Sequence, residues 1–260
     1  IFNTDFKNFF NRVTLRDTTL FGVAGARVSL EQPFLFNKPI FGKLEIYTQL
    51  EKLMSITSQL RSGGILSLEF EMPTHTFITY LRTYYNVESI QAIDVFQYED
   101  LELDYYLSDI TSVLGVDIRS SKTDDLLFPS SGYNLFFLLE EGNLLPYLFS
   151  KMFKKEAEQV LFYKALLTHA MYFATNQRKS AVLGLKNRIG YIHPYHNDSE
   201  LFVPINRTLY AGGSNSVRGW RFRELSPSVS DIAPEIVPFF GNFKIGGYFL
   251  LEGSLEWRYK

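Results

Sequence analysis

The 260-residue chain carries 26 Lys and Arg against 28 Asp and Glu, a formal net charge of -2, so it offers no basic stripe for nucleic acid; without cysteine it has neither disulfides nor thiolate metal ligands. It is 46% hydrophobic at a mean hydropathy of -0.05, yet no run reaches eighteen apolar residues, which excludes a transmembrane helix but not a barrel wall. Aromatics reach 16%, with 24 Phe and 16 Tyr against 2 Trp, as suits strands and the girdles where a membrane wall meets water.

The chain start does not read as a signal peptide, because Asp5, Lys7 and Asn8 interrupt it. Residues 6–15 mix Asn8, Asn11 and Arg12 with Phe9, Phe10 and Val13, a weak alternation that suits a loosely registered first strand or a linker equally. Strand patterns follow at 21–31 and 44–51, where Leu44, Ile46 and Leu50 oppose Glu45, Tyr47, Gln49 and Glu51. In 65–72, Leu66, Leu68, Phe70 and Met72 oppose Ser67, Glu69 and Glu71. After 77–87, Leu101, Leu103, Tyr105 and Leu107 oppose Glu102, Asp104, Tyr106 and Ser108. Further segments lie at 112–120, 133–141, 162–174 and 180–192.

The spacing within 144–160 predicts a short amphipathic loop helix, with Lys151, Lys154 and Glu158 near Met152, Phe153 and Ala157. From 197 to 242 alternation lapses and Gly, Pro, Ser and Asn accumulate, a long loop of the kind that usually carries function. In 248–259, Phe249, Leu251, Gly253, Leu255, Trp257 and Tyr259 form one face and Tyr248, Leu250, Glu252, Ser254, Glu256 and Arg258 the other.

About a dozen segments of roughly 9–11 residues fit a tilted membrane crossing better than the ~5–6 residues usual for a soluble sandwich. Alternation alone does not say which face is inside. The fold class expected is all-β, a transmembrane antiparallel β-barrel, with residues 1–260 as one domain. Inward carboxylates such as Glu69, Glu71, Glu102, Asp104 and Glu252 read as a lumen wall rather than an acid–base pair. His193, His196 and Asp198 read as loop residues rather than a metal site, and His75 and His169 stand alone. No nucleophile elbow or zinc-protease motif occurs.

The most specific stretch is Leu209-Tyr-Ala-Gly-Gly-Ser-Asn-Ser-Val-Arg-Gly-Trp220. Gly212, Gly213 and Gly219 permit tight turns around one guanidinium, Arg218, framed by Val217 and Trp220, which can present a hydrogen-bonding fork to a carboxylate. This stretch resembles the loop signature of the BamA/TamA outer-membrane assembly-factor superfamily, whose core is Val-Arg-Gly-aromatic. The turn holding Phe128, Pro129 and Gly132 resembles that family's Phe-Pro-x-x-Gly turn, and Gly246 to Trp257 resembles the strand after the signature loop. The turn is given no site role.

The resemblance implies a sixteen-strand barrel, about twelve strands of it in this chain, with a loop folding into the lumen and Arg218 pairing there with Glu256. Such a charge-assisted pair is worth ~1.5–3 kcal/mol. It also implies that the chain is incomplete, lacking about four strands after Lys260, and that the family's POTRA domains lie outside it. The implied function is outer-membrane protein assembly or insertion of the BamA or TamA kind. Strand templating at the barrel seam would carry it, with no catalytic residue, cofactor or metal. Implied partners are unfolded outer-membrane proteins, the lipid bilayer, POTRA domains and accessory lipoproteins. A two-partner secretion translocator, a barrel anchoring a surface or periplasmic hydrolase, and a passive porin are the alternatives.

Overall fold

The computed structural model describes residues 14–20, 23–53, 57–73, 75–92, 109–153, 160–195, 203–214, 216–232 and 244–259. Ten strands run β1 (Thr14–Leu20), β2 (Val23–Gln32), β3 (Ile40–Leu53), β4 (Thr57–Glu71), β5 (Tyr80–Ala92), β6 (Asp109–Thr123), β7 (Gly132–Gly142), β8 (Leu161–Ala174), β9 (Ala181–Tyr195) and β10 (Phe249–Tyr259). They form one sheet in chain order, each antiparallel to the next. This meander is the connectivity of an up-and-down barrel wall, and β1 and β10 do not pair with each other. The all-β reading holds, with ten strands among the described residues; the expected dozen covers the whole chain, including segments outside them.

Burial decides between a soluble sandwich and a membrane wall. Ser67, Glu88, Asp117 and Glu140 are buried, while Ile46, Leu66, Leu139, Leu251, Leu255 and Trp257 are exposed. That inverts the soluble pattern and is what a wall with a lipid face outside and a polar lumen inside requires. The outer face also carries two aromatic levels. Phe249 lies opposite Tyr191, beside Tyr163 and Tyr195. Further along, Trp257 of β10 and Phe173 of β8 both lie opposite Leu183. The eight steps from Phe249 to Trp257 span ~26 Å along the strand at ~3.3 Å each. At a tilt of ~40° that is ~20 Å of height, close to the ~25 Å apolar band of outer-membrane barrels.

Most strands overrun their alternating segments. β4 begins at Thr57, eight residues before the pattern does, because Ser58, Gln59, Arg61, Ser62, Gly63 and Gly64 give its first half no apolar face. The segment at 101–107 lies outside the described residues. Of the weakly patterned 6–15, only Thr14 and Leu15 are described, as the start of β1. The expected loop helix is α1 (Leu144–Met152), ending before 154–159, which are outside the described residues. The long loop holds a 3-10 turn (Ile205–Arg207) and a short helix, α2 (Val229–Ile232).

At one end of the wall the strands join by short turns at 33–39, 72–79, 124–131 and 175–180; the connections at 93–108, 143–160 and 196–248 lie at the other. The long loop returns onto the inward face. Its Val203 and Leu209 are buried in one cluster with Tyr84, Val113, Phe162, Ile192 and Leu250 from the wall. Gly190 makes this approach possible, since a Cβ there would lie 2.8 Å from the Leu209 side chain.

Candidate functional site

The loop is fastened to the inward wall at two places, a root around Arg207 and a tip around Arg218. At the root, Leu209 and Gly247 exchange backbone hydrogen bonds of 2.9 Å, closing the loop's two limbs on each other. Thr208 Oγ1 donates to the Ile205 and Ile245 carbonyls at 2.7 and 2.6 Å, and the Tyr210 hydroxyl donates to the Ile205 carbonyl at 2.6 Å. Burial pushes the Tyr210 phenol above its ordinary pKa, which keeps that donor protonated.

This backbone presents Arg207 to a buried charged cluster. Its Nη2 donates to Glu88 Oε2 at 2.9 Å, and its Nη1 lies 3.9 Å from Glu140 Oε1. Glu88, only 2% exposed, also accepts from Arg61, through Nε at 2.7 Å and through Nη2. Glu140 accepts from the Tyr84 hydroxyl at 2.6 Å and lies 3.8 Å from Lys164, whose ammonium donates to the Arg207 carbonyl at 3.0 Å. Three cations and two carboxylates from β4, β5, β7, β8 and the loop thus converge on one point. Glu88 accepts from both arginines, while Glu140 accepts from Tyr84 and has Lys164 and Arg207 at ion-pair distance, so both buried charges are compensated.

At the tip, Gly212, Gly213 and Gly219 have φ of 103°, 108° and 90°, the left-handed conformations expected of glycine turns. A Cβ on Gly212 would also lie 2.6 Å from the Arg221 carbonyl oxygen. Ser216 ties the tip to β10: its hydroxyl donates to Glu252 and accepts from the Gly212 N–H at 2.9 Å. Arg188 of β9 joins Glu252 at 3.4 Å and reaches the Tyr210 carbonyl at 3.4 Å. Arg218 Nη2 lies 3.6 Å from Glu256 Oε2, with the two side chains 77% and 43% exposed. Val217 lines the gap between tip and wall, a cavity of about 390 Å³ bordered also by Tyr172, Lys186, Arg188 and Glu252. Trp220 is half-exposed beyond it.

The structure therefore brings Arg218 and Glu256 together, but at a watery surface. An ion pair there contributes ~0.2–1 kcal/mol, below the ~1.5–3 kcal/mol expected of a charge-assisted bond. The buried attachment at Arg207 is one that alternation did not single out. Its signal was present in the sequence as unpaired-looking charges, Glu88, Glu140 and Lys164, in otherwise strand-like segments.

The remaining candidates separate. Glu252 joins the tip, whereas Glu102, Asp104, His196 and Asp198 lie outside the described residues. His193 sits on the outer face, its ring 5.2 Å from that of Tyr163 and 6.2 Å from that of Tyr191. No group of three His, Cys, Asp or Glu that could hold a metal occurs among the described residues. The Phe128-Pro129 turn is built by Asp124, which accepts from the Ser130 and Ser131 N–H groups at 2.8 and 2.9 Å and from Lys179 at 2.9 Å. It closes on Gly132 at φ 106°.

Two comparisons bear on this architecture. The Omp85 superfamily domain matches residues 25–260. The crystal structure of BamA from Haemophilus ducreyi lacking POTRA domains 1-3 is similar at a TM-score of 0.70 and 14% identity, over 94% of this chain and 46% of that one. At that identity the likeness speaks for the fold, and the present chain spans about half the length of its counterpart.

Proposed function

Because the chain belongs to the Omp85 superfamily, we propose that it is the barrel portion of an outer-membrane protein assembly factor, of the BamA or TamA kind, working by strand templating. The observation that carries this reading is the loop fastened into the lumen face at Arg207 and Arg218. A loop so placed occupies the concave side, where a passive pore needs open water, and leaves the sheet edge as the working surface. β1 is that edge. It is the shortest strand, Thr14–Leu20, and pairs among the described residues with β2 alone. Its sequence, with Arg16 beside Asp17, alternates poorly, so its register is weakly specified and exchangeable.

An incoming strand adds to such an edge by backbone hydrogen bonds, which read no side-chain sequence and so admit many substrates. The loop's role is to brace the wall while the edge opens. No covalent step or cofactor enters, and the substrates are unfolded outer-membrane proteins delivered with the help of POTRA domains and accessory lipoproteins.

These 260 residues contain no cysteine, so a cysteine introduced here is unique within them, and the test uses the full-length protein. Thr18→Cys should form disulfides with cysteines placed in the terminal strands of several unrelated outer-membrane proteins, and depletion should lower many such proteins together. Cross-linking to a single exported protein, with only that protein lost on depletion, would establish a two-partner translocator instead. Unchanged levels of every outer-membrane protein would favour the hydrolase anchor.

A further inference from the structure

The short-turn end of the wall carries apolar residues that neither the loop lock nor the β1 edge uses. At the 124–131 turn, Leu126, Leu127 and Phe128 are 91%, 81% and 65% exposed. Their exposure is built in. Asp125 Oδ1 accepts from the Leu127 and Phe128 N–H groups at 2.8 and 2.9 Å, and Asp124 closes the turn behind them, so both carboxylates are engaged by the turn's own backbone while the apolar side chains stay exposed. At the 33–39 turn, Phe34 is also exposed, and Phe36 is 88% exposed at φ 54°. A bulky side chain in the left-handed region is an outlier where Gly or Asn would sit without strain. The turn between them contributes Phe77, stacked on Tyr133 at 5.8 Å. Water does not favour such a surface.

Height identifies the occupant. Gly132, where the 124–131 turn ends, lies opposite Tyr172 of β8. The next residue, Phe173, is level with Leu183 and Trp257, the aromatic level closing the lipid-facing band. The turn therefore starts where the hydrocarbon stops, and its apolar tip continues the lipid-facing surface into the headgroup layer. The neighbouring 175–180 turn places exposed Arg178 at the same end, suited to phospholipid phosphate.

We propose that these turns form a lipid-binding rim. Phe34, Phe36, Phe77 and the Leu126–Phe128 tip insert into the headgroup boundary of the leaflet at the short-turn end, and Arg178 holds lipid phosphates beside them. The rim fixes the height and tilt of the wall against that leaflet.

The test uses the full-length protein in phosphatidylethanolamine–phosphatidylglycerol vesicles, with an environment-sensitive fluorophore on Phe36→Cys, Leu127→Cys or, as control, Gln177→Cys. Folding of each variant is checked by heat-dependent gel mobility. A nitroxide near the headgroup end of the acyl chains should quench positions 36 and 127 at least about twofold more than 177, with the reverse order for an aqueous quencher. Equal access of the aqueous quencher to all three positions would overturn the rim. So would shielding of 36 and 127 from water without lipid quenching, which would mean that a protein domain covers them. A single unfolded variant leaves the other position to decide.

Discussion

Replacing Arg207 with Ala should unseat the loop far more than replacing Arg218 does. Arg207→Ala removes a 2.9 Å bond to a carboxylate that is 2% exposed and a 3.9 Å approach to Glu140. Glu88 keeps Arg61 and Glu140 keeps Tyr84 and Lys164, so neither carboxylate is stranded. The loss is then ~2–4 kcal/mol, between that of one charge-assisted bond and that of a broken buried pair. At ~1.4 kcal/mol per decade, the undocked fraction rises ~30- to ~1000-fold. Arg218→Ala removes an exposed 3.6 Å pair worth at most ~1 kcal/mol, about a fivefold rise. Val203, a loop residue buried against the wall, supplies the reporter. In a Val203→Cys background, the maleimide labelling rate should follow those factors. Arg207→Lys should fall between wild type and Arg207→Ala, because it keeps the charge and loses the fork. Equal labelling in the two alanine variants, or no acceleration in Arg207→Ala, would refute the assignment of the root as the stronger anchor.

Gly132→Ala should destabilise the 124–131 turn, because at φ 106° its Cβ would run into the Lys122 carbonyl oxygen. A loss of at least ~1–3 kcal/mol in urea unfolding from lipid vesicles is expected. Asp124 has a second, pH-dependent signature. The Lys179 ammonium, then Ser130 and the turn's N–H groups, hold its carboxyl well below the ordinary carboxylate range. A depressed folded-state pKa contributes stability that is fully present above the unfolded value of ~3.9 and is lost as pH falls towards the folded one. The stability gap between wild type and Asp124→Asn should therefore be constant above about pH 5 and shrink on acidification below about pH 4.

The wall was legible in the sequence because a strand's period is two and membrane and lumen each demand one polarity. Where that demand lapses, so does the signal. Thr57 to Gly64 is regular strand in the structure, yet Gly63 is there to let the Tyr47 ring pass, and no apolar face announces it. The tip was legible because glycines at φ near 100° leave a compositional mark around Arg218. The root left none. Its central bond joins residues 119 apart in sequence, Arg207 in a loop and Glu88 one residue beyond an alternating segment. Glu140 and Glu141 are adjacent, and only the register of β7 shows which faces the lumen. Glu140 meets Lys164 and Tyr84 inside, while Glu141 accepts from Tyr195 on the outer side.

The unequal anchors also imply how the loop yields. The tip pairs, Arg218 with Glu256 and Arg188 with Glu252, face a cavity open to water, so ions reach and screen them over a Debye length of ~8 Å at physiological salt. The root is screened far less, because Glu88 and Glu140 are buried. Raising salt should therefore release the tip while the root stays seated, the loop bending between Thr208 and Gly212. Spin labels on Ser214→Cys and on a wall position of β8 should show a broadened distance distribution from low to molar salt. A pair on Val203→Cys and the same wall position should keep a single distance. Both pairs broadening together would show that the loop undocks as one body, and the buried charges at Arg207 would then not be the independent anchor that their geometry indicates.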